Sequence, residues 1–163
     1  MSIVPKRLAL FIAVAGSGLM TFFIAFSNIT DYATNFEFVK HVLSMDTIFE
    51  NSTVKYRSIT QDGFHHASYI FIIALETAMA YFLITSSIQM FLCIKGDKEK
   101  FNSSKKNAYI GISLGIMLWF VGFSVVGGEW FSMWQSADWN GLEPADRITT
   151  FFMLTYLALV VVD

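Results

Sequence analysis

The stretch Ile70-Phe71-Ile72-Ile73-Ala74-Leu75-Glu76-Thr77-Ala78-Met79-Ala80-Tyr81-Phe82-Leu83 carries one acid, Glu76, among apolar neighbours. A carboxylate in hydrocarbon is costly unless it is paired or shielded, so it must face other helices. Two chemistries follow. Glu76 can hold a proton or a ligand that enters from one side of a membrane. It can instead accept an interhelical hydrogen bond from a hydroxyl such as Thr21, Ser124, Thr155 or Tyr156. His65, Tyr69 and Glu76 share one helical stripe, with Thr77 and Ala80 beside it. Glu76, Tyr69 and Thr77 therefore form the candidate intramembrane polar site.

A second set of reactive side chains lies outside the apolar run: His41, Asp46, His65, His66, Glu129 and Trp130. Imidazole with carboxylate suits zinc or iron. No zinc spacing, HExxH or CxxC occurs, and the adjacent His65 and His66 point about 100° apart on a helix. A bis-histidine haem site would need histidines deep inside spans, and all three histidines fall at or beyond a span edge. No cofactor is expected, metal and haem are disfavoured, and interfacial anchoring is the ordinary role for these residues. In Gly127-Gly128-Glu129-Trp130 the two glycines look like a helix C-terminus, where an acid is unfavourable for the helix dipole. Glu129 is thus expected to pair with Arg147. Gly111, Gly115 and Gly122 make a small-residue ridge, matched by Ala74 and Ala78, that suits close helix packing within the chain or against another subunit. No P-loop, GxGxxG or GxSxG with an evident triad is present.

These side chains must be positioned by elements of one kind. Of 163 residues, 55% are hydrophobic and 15% charged, against about 25% charged in soluble proteins. The composition points to an all-α integral membrane protein, a single domain over residues 1–163 built as a four-helix transmembrane bundle. Spans are expected at about 8–27, 68–94, 108–127 and 146–162, the last borrowing a turn from Pro144-Ala145-Asp146-Arg147. The first run exceeds a signal-peptide core and should stay uncleaved. Lys6, Arg7, Lys95, Lys98, Lys100, Lys105 and Lys106 flank one side of the spans, leaving Lys40, Lys55, Arg57 and Arg147 on the other. The positive-inside rule then puts both termini and the loop 95–107 in the cytoplasm. The loops 28–67 and 128–145 face outward as an ordered cap. Within it, Thr34–Glu37 reads as a capping box opening a short surface helix through Phe36, Val39 and Leu43. Trp130, Trp134 and Trp139 belong at headgroup level. Net charge −2 offers no field for nucleic acid, and lone Cys93 can form neither an intrachain disulfide nor a thiolate metal site.

The strings Asn28-Ile-Thr-Asp-Tyr, Asn35, Phe38-Val-Lys-His-Val-Leu-Ser-Met-Asp-Thr47, Glu76, Gly128-Glu-Trp-Phe-Ser-Met-Trp-Gln-Ser and Trp139-Asn140 resemble a family of small bacterial integral membrane proteins classed as a domain of unknown function (DUF2165). The resemblance covers nearly the whole chain. It implies four spans in a bacterial inner membrane, and it makes the sequons at Asn28 and Asn51 irrelevant. It carries over no catalytic or binding residue. The leading functional expectation is a non-enzymatic accessory subunit that packs with membrane lipid and with a protein partner or its own copies. The alternatives are a small transport or proton-conducting protein using Glu76, and a metal-binding protein or enzyme using the His41, Asp46, His65, His66 and Glu129 set.

Overall fold

In the computed structural model, which describes residues 3–163, helices dominate and no strand occurs among the described residues. The elements are α1 (Val4–Thr30), α2 (Tyr32–Ser44), α3 (Asp62–Leu92), α4 (Lys98–Ser104), α5 (Lys106–Gly115), a π-helical segment (Ile116–Trp130) and α6 (Leu142–Val161). Two single 3₁₀ turns, Lys55–Arg57 and Met133–Gln135, interrupt the long connections. Four stretches are long and apolar enough to cross a membrane: Val4–Thr30, Asp62–Leu92, Lys98–Trp130 and Leu142–Val161. Only 28–33% of each apolar window is buried inside the molecule. The exposed faces carry residues such as Phe23, Phe71, Phe151 and Leu154, a surface that hydrocarbon accommodates and water does not.

The long helices contact one another in a ring: α1 on α3, α3 on α5, α5 and the π segment on α6, and α6 on α1. Their shared core holds Leu10, Val14, Met79, Leu83, Ile112 and Phe152. Small residues set the closest approaches. A Cβ on Gly111 would lie 2.6 Å from Leu83 Cγ, and one on Gly115 would lie 2.9 Å from the Phe152 ring. The Gly111–Gly115 ridge is therefore covered from within the chain. Gly122 has no such neighbour from another element, Ala74 is exposed and Ala78 half-buried, so they extend the ridge only in sequence.

Three expectations need correction. The third span is one α-turn pattern only as far as Gly115; beyond it the hydrogen bonds run i→i−5, as from Phe131 N to Val126 O at 3.0 Å. This π geometry is far longer than the single turns in which it usually occurs. Gly127 and Gly128 do not end that helix. They are buried inside it, and Gly128 leaves room for Leu142, whose Cδ2 would sit 2.8 Å from an added Cβ. The short helix after the first span exists, yet it starts at Tyr32, after a bend at Asp31. Thr34 is already helical there, so its hydroxyl has no free first turn to cap, and no side-chain cap forms.

At the end of the helices where α2 lies, the connections pack on each other. Met45, Ile48 and Phe131 form a separate buried cluster. Met45 ends α2 in the left-handed region at φ 52°, which costs a non-glycine residue about 1–2 kcal/mol. Burial of its side chain to 2% exposure offsets that strain by about the same amount.

Candidate functional site

Glu76 lies fourteen residues into α3, about 21 Å from its start and close to its midpoint. It is 2% exposed. The helical period places His65, Tyr69, Glu76 and Ala80 on the buried stripe, as their spacing requires. Thr77 falls on the exposed side and spends its hydroxyl on Ile73 O of its own helix, 2.8 Å away. It is therefore not part of the site.

The partner of Glu76 is Asn28, near the end of α1, whose Nδ2 donates to Glu76 Oε2 at 2.7 Å. None of the four hydroxyl residues expected in that role serves it. Thr21 and Thr155 bond back to Ser17 O and Phe151 O, Ser124 reaches Trp119 O and Asp146 Oδ1, and Tyr156 is exposed. Hydroxyls in helices readily satisfy themselves on the preceding turn, which removes them as interhelical donors. Tyr69 OH donates to Asn28 O at 3.1 Å and fixes the end of α1 beside the carboxylate.

These groups border a cavity of about 290 Å³, at the lower end of small-ligand sites. Asn28 from α1, Asn35 from α2, Tyr69 and Glu76 from α3, and Trp119 and Phe123 from the π segment all line it. Glu76 Oε1 and the Asn28 and Asn35 side-chain oxygens accept no hydrogen bond from the described residues. No Lys, Arg, His, Cys or second acid lines the cavity. It is an electron-rich chamber: three oxygen acceptors with aromatic faces around them and no resident cation. An ammonium group or a proton fits that description.

The second set of residues is not brought together. Among the described residues no three His, Cys, Asp or Glu side chains converge in a way that could hold a metal ion. His41 pairs with Asp46 at 2.8 Å and stacks on Trp139. His66 meets Tyr32 OH and stacks on Phe36, 4.1 Å between centroids. His65 is buried, and its Nε2 lies 2.7 Å from Ile59 O; a carbonyl can only accept, so Nε2 carries the proton. Its Nδ1 has no hydrogen-bond partner. Glu129 and Arg147 are both exposed, and the expected ion pair does not form. Arg57, not an acid, is the neighbour of Trp130, with its guanidinium 4.6 Å from the ring centroid.

The opposite end holds a site that sequence reasoning missed. Arg7 and Lys105 are 3% and 2% exposed. Arg7 Nε donates to Asp163 Oδ2 at 2.5 Å and its Nη1 to Gly96 O at 2.6 Å. Lys105 Nζ donates to Leu159 O at 3.1 Å and also to Val162 O. Phe101 is fully buried beneath both cations, 4.4 Å from Arg7 Cζ. Helix C-termini leave carbonyls unpaired and carry negative partial charge, so Lys105 completes the end of α6, while Arg7 serves the carbonyls of the connection just beyond α3. In the sequence both read as ordinary flanking positive charges. Asn28 and Asn35 lie on either side of the bend at Asp31, on α1 and α2, and only the packing of those two helices on α3 brings both amides to the cavity.

The fold and its exposed apolar faces define an integral membrane protein with four candidate spans. The chain belongs to the family described as predicted small integral membrane protein, DUF2165, whose model matches residues 6–162. No curated protein and no solved structure matches it.

Proposed function

We propose that this protein is a membrane-embedded binding protein for a cation, a proton or a small protonated amine, with Glu76 as the binding carboxylate. One observation carries the reading. Among the described residues Glu76 has a single amide donor and borders a cavity lined by no cationic side chain, whereas Arg7 and Lys105, also deeply buried, are engaged by protein oxygens. A buried charge that serves only structure is paired within the fold. Binding is favoured over reaction because no nucleophile–base pair lines the chamber. An accessory-subunit role has less support, since the Gly111–Gly115 ridge that would receive a partner helix already receives Leu83 and Phe152.

The same reading takes the four helices as a bundle in a bacterial inner membrane with both termini cytoplasmic. The clustering of Lys95, Lys98, Lys100 and Lys106 at the Arg7 end supports this orientation. The test is saturation-transfer NMR with ethylamine on detergent-solubilised protein. Ethylamine should receive saturation from wild type and lose it in Glu76→Gln. Equal signals from the two proteins would defeat the proposal.

A further inference from the structure

A second cavity of about 330 Å³ adjoins the first. Its walls include Val42, Phe64, Leu118, Gly122, Val126 and Phe131, and Ser68 is its one polar contributor. The two cavities share Phe38, Val39, Ile72 and Phe123 as a common partition. Polar acceptors thus lie on one side of four apolar side chains and a nearly pure hydrocarbon space on the other. Phe64, Phe71 and Val126 in its wall are exposed, so the space is a groove open at the outer surface of the helices, one that an apolar chain fills and water does not.

Resting on the cation-binding reading above, we infer that the ligand is an amphiphile drawn from the bilayer: a primary ammonium head at Glu76 and Asn28, with an alkyl tail in the apolar cavity across the Phe38–Phe123 partition. A cationic head is the one that complements an ionised Glu76, because neither cavity is lined by Lys or Arg that would supply the opposite charge or balance an acidic group. It must carry N–H donors, because Glu76 Oε1 and the two asparagine oxygens are acceptors that a quaternary ammonium cannot satisfy. The tail must be apolar, because the second chamber offers almost nothing to hydrogen-bond. The partition is made of side chains: Phe38 is held against Gly141 and Trp139, so Phe123, half-buried and stacked on it at 6.1 Å, is the ring whose rotation would join the two spaces.

The experiment uses the full chain in lipid nanodiscs with decylamine bearing a diazirine on its terminal carbon, followed by peptide mapping of the photoproduct. Label is expected on the walls of the apolar cavity, at Leu43, Val126 or Phe131. Decylamine should compete it away, and propylamine should compete more than about tenfold less well, since each buried methylene adds affinity. Decanol should also compete poorly, and Glu76→Gln should lower labelling by about tenfold or more through loss of a charge-assisted contact. Gly122→Leu has room for its Cβ and fills the apolar cavity; it and Val126→Phe should abolish the label yet keep the ethylamine NMR signal. If propylamine competes as well as decylamine, or the filled variants label normally, the tail assignment is overturned while the Glu76 reading stands. If decanol competes equally or Glu76→Gln keeps its label, the head assignment is overturned. Absence of both the specific label and the ethylamine signal in wild type would overturn the two together.

Discussion

Arg7 and Lys105 at one end of the helices and Glu76 near the middle of α3 are buried to the same degree, 3%, 2% and 2% exposed, but their surroundings differ. The cations meet a carboxylate and a set of backbone carbonyls left over at helix ends, and they tie α1, the α3–α4 connection, α5 and α6 together. Their desolvation is offset by oxygens left without a helical partner, at the end of α6 for Lys105 and in the connection after α3 for Arg7. Glu76 sits where every backbone group is already used by its own helix. Only side chains can serve it there, and one amide does. The difference teaches where each charge belongs. Buried charge at a helix end closes a structure, while buried charge at mid-helix beside a cavity leaves capacity for something else.

The sharpest way to break this contrast is to remove one charge from each region. Arg7→Leu strands Asp163, whose side chain is 6% exposed, and should lower unfolding stability in mild detergent by about 3–5 kcal/mol. Glu76→Gln keeps an oxygen for Asn28 and should change stability by less than about 1 kcal/mol while abolishing amine binding. Circular dichroism of both variants checks the pair, and the contrast fails if Glu76→Gln is the more damaging. Asn28→Leu comes next. It deprives the carboxylate of the one donor it has among the described residues and puts an apolar side chain in that donor's place, and should cost about 1–3 kcal/mol by the same measurement. The smallest effect is expected at the exposed Glu129 and Arg147. A double-mutant cycle to alanine should show coupling below about 0.5 kcal/mol, because the two side chains are not paired. A larger coupling would restore the ion pair that their types suggest.

Much of the fold is written in composition and period. A helix satisfies its own backbone, so a long apolar run can be read as a span from the run itself, and each of the four runs falls on a helix long enough to cross, the second and fourth overrunning its end at Leu92 and Val161. The inward direction of Glu76 is equally local, since a 3.6-residue period ties it to Tyr69 and His65. The same period puts Thr77 on the other face, although adjacency in sequence grouped it with Glu76. Residue type alone misled at Glu129 and Arg147, where opposite charges at two helix ends suggested a pair, and at Gly127 and Gly128, where glycine suggested a terminus and packing against Leu142 required it instead.

Sequence by itself determined that this chain is helical, that hydrocarbon surrounds it and that one acid must turn inward. Those are consequences of side-chain chemistry and of a period that holds within a single segment. Only the tertiary structure decided that Asn28 is the acid's partner, that Arg7 and Lys105 are interior groups and that a polar chamber adjoins an apolar one. Each of these joins residues from different helices, and the distance between helices depends on how their surfaces fit, as at Gly111 against Leu83, which no pattern along one strand of sequence encodes.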